Sequence, residues 1–210
     1  MTTMKVDAAV RWNNGKVFFF FGGQYVRFDF PSDQTDPGYP KPIGPETWPG
    51  VPFTHGIDAA LLWKDGKMFL FKGSQYIRFD IMTDKVDPGY PKPIAGNWPG
   101  LPFTDGIDSA VLWNNGKKVF FFKGDQYVRF DVDADKVDEG YPKKIDDNTW
   151  PGLSFTKHID ALVMGDNGKL FVFQGDQYVR FDITTDKQDP GYPKPIAGNW
   201  PGLVECLTKG

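Results

Sequence analysis

Apolar and polar positions fall into short blocks that recur at a nearly constant interval. The stretches VDAAVRW (6–12), IDAALLW (57–63), IDSAVLW (107–113) and IDALVMG (159–165) align, and their shared aspartates, Asp7, Asp58, Asp108 and Asp160, stand 50 to 52 residues apart. Each block is followed by a turn (NNGK, KDGK, NNGKK, DNGK), an aromatic run (VFFFF, MFLF, VFFF, LFVF) and a second turn at Gly22, Gly73, Gly124 or Gly175. QYVRFD follows, as QYIRFD in the second unit, then a segment built on GYPK, then WPG. Asn-Gly and Asp-Gly supply the positive φ of tight hairpin turns, so the first two apolar blocks predict antiparallel strands, and the second glycine turn adds a third. A fourth, shorter strand is expected near VDPGY, at the sheet edge because proline cannot donate to a central ladder. The proline-rich stretch from PKPI to WPG is expected to be a turn or short helix crossing to the next unit. The fifteen-residue connector DPGYPKPIAGNWPGL occurs identically at 87–101 and 189–203.

Four units of about fifty residues fill the chain, and self-similarity at that period is the signature of repeat architectures. A four-stranded meander cannot bury both faces alone, and four stacked radially make an all-β, four-bladed β-propeller. The blades are expected over residues 5–53, 54–103, 104–155 and 156–205 of one domain. A linear solenoid is the competing arrangement, but it needs distinct polar caps, whereas the last unit retains WPGL.

The repeats resemble those of the hemopexin family. The pattern carrying the resemblance is I-D-A-A…F-F-K-G-D-Q-Y-V-R-F-D…G-Y-P-K-P-I…W-P-G-L, four times over, from Val6 to Leu203. It implies a four-bladed propeller with a narrow axial channel, most similar to the single-domain plant-albumin or bacterial hemopexin-like type. Many members join first and last blades by a disulfide. Cys206 is the only cysteine, so closure here is expected to be non-covalent, with the thiol left for an intermolecular bond.

Charge and composition then narrow the function. Net charge is −3 with no cluster of basic residues, which argues against nucleic acid. No apolar stretch approaches the 18 or so residues of a membrane span. Without a signal-like start or an N-x-[ST] sequon, the expected location is cytoplasmic, secretion without a recognisable signal peptide being the alternative. The chain has no H-E-x-x-H, C-x-x-C, P-loop or G-x-S-x-G motif, so a non-enzyme is expected.

Chemistry concentrates at the propeller axis. The innermost strand of each blade has one edge without a neighbour, whose carbonyls form stacked rings suited to calcium or sodium. The resemblance implies the same for the carbonyls of Asp7, Asp58, Asp108 and Asp160, and a second ring would come from Ala9, Ala60, Ala110 and Leu162. Ordered water in the channel, with the aspartates capping turns, is the competing reading. The two histidines, His55 and His158, are expected in loops at one channel mouth of opposite blades, as ligand-binding residues for haem or a transition metal, or else as solvated loop residues. All eight tyrosines and all seven tryptophans occupy repeat-equivalent positions, which points to packing between blades, with shallow glycan sites as the alternative. Arg27, Arg78, Arg129 and Arg180 lie between a tyrosine and an aspartate at two-residue spacing, and are expected to form a buried or half-buried Arg–Asp ring between blades, with anion binding as the alternative.

The function these readings predict is non-enzymatic binding, with haem or a polyamine as the small ligand the resemblance suggests. A lectin or host-surface protein with repeated rim sites is the alternative from another class, and a storage albumin a third. Expected partners are thus a small molecule, a glycan or a protein, and a homodimer stays open.

Overall fold

The computed structural model describes residues 5–12, 14–113, 116–166 and 168–208. The first repeat folds as β1 (Ala8–Arg11), β2 (Lys16–Phe21), β3 (Gln24–Asp29), β4 (Gln34–Thr35) and β5 (Lys41–Pro42). The same five recur as β6 (Ala59–Leu62), β7 (Lys67–Lys72), β8 (Gln75–Asp80), β9 (Lys85–Val86) and β10 (Lys92–Pro93). The third blade holds β11 (Ser109–Leu112), β12 (Lys118–Lys123), β13 (Gln126–Asp131), β14 (Lys136–Val137) and β15 (Lys143–Lys144). The fourth holds β16 (Ala161–Met164), β17 (Lys169–Gln174), β18 (Gln177–Asp182), β19 (Lys187–Gln188) and β20 (Lys194–Pro195). A short helix, α1 (Leu203–Leu207), follows.

The four-strand meander is therefore present with one addition. The chain doubles back at DPGY, and its two arms pair with opposite ends of the same outer strand: Phe28 and Asp29 of β3 face β4, whereas Gln24 and Tyr25 face β5. Proline-induced interruption splits what would be one edge strand into two dipeptides, leaving no long edge open to intermolecular pairing. The PKPI-to-WPG connectors are turns, closed by Thr47, Asn97, Thr149 and Asn199 side chains that donate to the carbonyls of Pro42, Pro93, Lys144 and Pro195.

The sheets form a ring. β1 lies beside β6 and β16, and β11 lies beside the same two, so the four inner strands surround one axis. Four separate cores fill the wedges between blades. A buried tryptophan from each WPG, Trp48, Trp98, Trp150 or Trp200, stands in every wedge among edge-on phenylalanine and tyrosine rings. Packing between blades accounts for these tryptophans. Each connector also accepts a backbone bond from the next blade: Val86 N–H to Pro49 O at 3.2 Å, Val137 to Pro99 at 3.0 Å, Gln188 to Pro151 at 3.4 Å. Thr35 N–H to Pro201 O at 3.0 Å repeats this bond between the last blade and the first. Ring closure thus carries the same backbone bond as the other three junctions. Gly202, at φ +82°, lies so close to Thr35 that a Cβ there would come within 2.9 Å of the threonine Cβ. Cys206 is buried in the closing core with Val6, Phe19 and Leu203, so an intermolecular bond through it would require α1 to leave its seat.

The arginines do not form a ring between blades. Antiparallel register sets Lys16 opposite Asp29 and brings Asp36 across from Arg27, whose carbonyl accepts the Asp36 N–H. Cross-strand neighbours are closer than residues two apart on one strand, so the pairs form across the sheet. Arg27 Nε donates to Asp36 at 2.5 Å, and Lys16 Nζ bridges Asp29 at 3.0 Å and Asp36 at 3.2 Å. Each of the other three blades repeats the ladder, as Arg78–Asp87, Arg129–Asp138 and Arg180–Asp189.

The ladder and the tyrosines give the fold a pH dependence. Hydrogen bonds from Lys67, Lys118 and Lys169, joined by turn N–H groups, hold Asp80, Asp131 and Asp182 down to about 2 from 3.8. A carboxylate depressed in the folded state stabilises above its unfolded value and loses that contribution as pH falls through the folded one. Burial, with the neighbouring Tyr39, Tyr90 and Tyr141 adding to it, raises Tyr25, Tyr76 and Tyr127 from 10.0 to about 12. Stability from a raised group is complete below the unfolded value and is lost as pH rises through the folded one. Melting monitored by circular dichroism is therefore expected to hold steady near neutrality, to fall between pH 3.8 and 2, and to fall again between pH 10 and 12. A main acid transition above pH 5 would contradict this assignment.

Candidate functional site

Inner-strand register decides which backbone groups face the axis. Trp12 N–H donates to Lys16 O, and in an antiparallel ladder hydrogen-bonded positions alternate. Ala8 and Val10 therefore bond to β2, and Ala9 and Arg11 turn their N–H and C=O groups away from it, toward the axis. Trp63, Trp113 and Gly165 make the equivalent bonds to Lys67, Lys118 and Lys169. Two rings of backbone without a sheet partner follow: Ala9, Ala60, Ala110 and Leu162, and one level on, Arg11, Leu62, Leu112 and Met164. The side chains of Ala9, Ala60, Ala110 and Leu162 belong to four different interblade cores, so Leu162 extends into the core shared by blades three and four.

At the start of the inner strands, Asp7, Asp58, Asp108 and Asp160 line one cavity of about 350 Å³. Their carboxylates cap the second glycine turn, accepting the N–H of Gly22, Gly73, Gly124 and Gly175 at 2.7–2.8 Å. Their own N–H groups donate to Phe20, Phe71, Phe122 and Phe173. Among the described residues, no three His, Cys, Asp or Glu side chains stand together as metal ligands. What this end offers a cation is therefore negative potential from the rim and oxygen from the backbone. Asp105, Lys5, Lys123 and His158 also line the cavity, five aspartates against two lysines, and Lys72 pairs with Asp58 at 2.6 Å from outside the lining. Lys5 pairs with Asp160 at 2.6 Å and Lys123 with Asp105 at 2.7 Å.

The histidines are not equivalent. His158 lines the acidic cavity, 3.9 Å from Asp108, with a left-handed φ of 50°. His55 is not among the lining residues, and its Nδ1 lies 3.1 Å from the Thr54 hydroxyl. They occupy adjacent rather than matching repeat positions: His158 aligns with Gly56, and His55 with Lys157.

From the other end of the inner strands a second cavity of about 270 Å³ opens among Arg11, Trp12, Leu62, Leu112, Trp113 and Met164 and reaches inward to Ala9, Ala60, Ala110 and Leu162. Asp7 and Arg11 are four residues apart on an extended strand, which separates the two mouths by about 13 Å. Repeat matching does not single out Lys5, Asp105 or Arg11, whose signal is departure from the repeat, as with Arg11 where the other blades carry Leu62, Leu112 and Met164; Lys123 shares its repeat position with Lys72.

The hemopexin family model matches residues 6–52, 57–102, 107–154 and 159–205, one match per blade. Interstitial collagenase of Equus caballus is 35% identical over 166 residues, covering 78% of this chain and 33% of its own length. The chain spans about a third of the length of the first curated relatives it matches. Among solved structures, the hemopexin-fold protein CP4 from cow pea superposes with a TM-score of 0.81 at 26% identity, over 98% of this chain and 97% of that one. A plant lectin with two metal binding sites from Cicer arietinum gives a TM-score of 0.70 at 26% identity, over 97% and 95% of the two chains. With four matched repeats closing into four blades about one axis, the chain belongs to the hemopexin family.

Proposed function

We propose that the chain is a non-catalytic binding propeller whose axial channel holds a hard cation, calcium or sodium, on backbone oxygens, and whose acidic mouth admits a cationic ligand. The observation that carries this reading is the edge of the four inner strands, which leaves backbone at Ala9, Ala60, Ala110 and Leu162 facing the axis at the inner end of the second cavity, two residues along each strand from the aspartates that line the first. Buried carbonyls without partners are costly, and a ring of oxygens suits a hard cation of six to eight ligands. The lectin with two metal binding sites among the structural relatives supports it. A linear polyamine suits the acidic mouth better than haem does, because only one of the two imidazoles lines that cavity.

Calcium binding would couple to folding. At a concentration 100-fold above Kd the linkage is about 2.7 kcal/mol, which for a chain of this size raises Tm by about 5–10 °C. Chelator-treated protein titrated with calcium and, separately, sodium is expected to show that rise with at least one of them. A Tm unchanged by either, with no metal in the purified protein by mass spectrometry, would overturn the reading.

A glycan-binding reading draws on the same lectin likeness and on one repeated, half-buried feature. Tyr39, Tyr90, Tyr141 and Tyr192 each have an arginine and a lysine over the ring, as with Arg27 at 5.6 Å and Lys41 at 5.1 Å. The WPG tryptophans are buried and do not contribute to it. Cell agglutination inhibited by a simple sugar would favour this reading; agglutination absent at every concentration would remove it.

A further inference from the structure

We propose that the channel mouth opposite the aspartates is a separate binding site for a small aromatic or aliphatic molecule carrying one anionic group. Three observations converge. The cavity there is walled by Trp12, Leu62, Leu112, Trp113 and Met164, apolar side chains that converge on one opening and remain partly open to solvent. Its volume, about 270 Å³, is larger than the roughly 150 Å³ that accepts benzene in an apolar protein cavity, so one or two fused rings fit.

The third observation is charge. At the ring where three blades place Leu62, Leu112 and Met164, the first blade places Arg11, the one charged group among the described lining residues. Its guanidinium lies over Phe30 at 5.3 Å, donates to Met164 O at 3.5 Å and holds Asp166 at 2.7 Å. Asp166 is 64% exposed, so this pair is well screened by water and weak, and an anion held on the dry side of the guanidinium can replace it. Pockets that bind small molecules have this composition, apolar walls with one fixed polar group that orients the ligand. The two mouths thus differ in kind: one is negative and wet, the other apolar with a single positive group.

The test uses 2-naphthoate, its neutral analogue 2-naphthalenemethanol and the cationic 2-naphthylmethylamine, titrated into the intact chain and followed by tryptophan fluorescence and calorimetry. Naphthoate is expected to bind saturably and most tightly, the neutral compound more weakly and the amine weakest at this mouth. Arg11→Gln is expected to weaken naphthoate by at least about tenfold and leave the neutral compound within about twofold, with Arg11→Lys in between. Leu112→Trp, which fills the cavity while leaving Arg11 in place, is expected to abolish binding of all three. Circular dichroism melts on each variant separate lost binding from lost folding. The proposal is overturned if naphthoate shows no saturable binding up to about 1 mM, if Arg11→Gln binds it as well as the parent chain does, or if Leu112→Trp leaves affinity unchanged.

Discussion

Trp200→Ala is expected to lower stability by about 3–5 kcal/mol, the range for deleting a large aromatic from a packed core. Trp200 is 4% exposed and stands where the last blade meets the first. Its ring lies 5.1–6.0 Å from those of Phe19, Phe28 and Phe30 on one side and Phe171, Phe173 and Tyr178 on the other. No disulfide holds this junction, so the wedge tryptophan, the Thr35–Pro201 backbone bond and the seat of α1 hold it. For a chain of this length the loss corresponds to about 6–20 °C in Tm, a large share of a total stability of about 5–15 kcal/mol. Trp200→Phe is the control. It keeps most of the ring and removes an indole N–H that has no hydrogen-bond partner in the wedge, so its cost is expected to be far smaller. Urea denaturation of the two variants decides the matter, and a Trp200→Ala cost below about 1 kcal/mol would mean that the wedge does not hold the ring.

The second large effect is expected where the fourfold pattern fails. Three blades end the inner strand in Trp12, Trp63 or Trp113, whereas the fourth has Gly165. In the second wedge, Trp63 packs on Phe69, Trp98 and Phe130. The equivalents at the closing wedge are Phe171, Trp200 and Phe28, and the ring lying against all three is Phe30, at 5.8, 6.0 and 6.1 Å. Phe30 comes from the first blade, at the position held elsewhere by Ile81, Val132 and Ile183. One large side chain has replaced another from across the junction. Gly165→Trp would restore the consensus residue yet is expected to destabilise by about 1–3 kcal/mol, because Phe30 fills the space and Phe171 already lies 2.5 Å from where a Cβ would stand. Phe30→Ile alone is expected to leave a void and also destabilise. Together they are expected to recover at least about 1 kcal/mol relative to the sum of the single changes, as coupled neighbours do. Additive costs in the double-mutant cycle would show that the two positions are independent.

That pair shows what a reader of the sequence can and cannot reach. IDALVMG and QYVRFDF both depart visibly from their repeats, but they are separated by most of the chain, and only ring closure makes them neighbours. Strands, turns and blade number were legible because Asn-Gly turns, aromatic runs and GYPK recur in phase, each enforcing the same local geometry. The fifth strand was not, since its two residues pair only because the edge chain doubles back at DPGY. The spacing of Arg27 to Asp29 predicts an interblade ring, although cross-strand register, which spacing on one strand does not encode, gives it Asp36. At the axis, Asp7, Asp58, Asp108 and Asp160 were found by repetition. The difference between the two mouths is hidden because it rests on single-blade residues, Arg11 at one end and Lys5 and Asp105 at the other, which averaging over repeats discards.

The most direct measurement is a crystal structure of the protein grown with calcium, with an anomalous difference map collected at long wavelength. A peak on the propeller axis, surrounded by backbone oxygens of the four inner strands at about 2.3–2.6 Å, is the predicted result. A channel holding only water under saturating calcium, or a peak bound by aspartate carboxylates out on the rim, would contradict it.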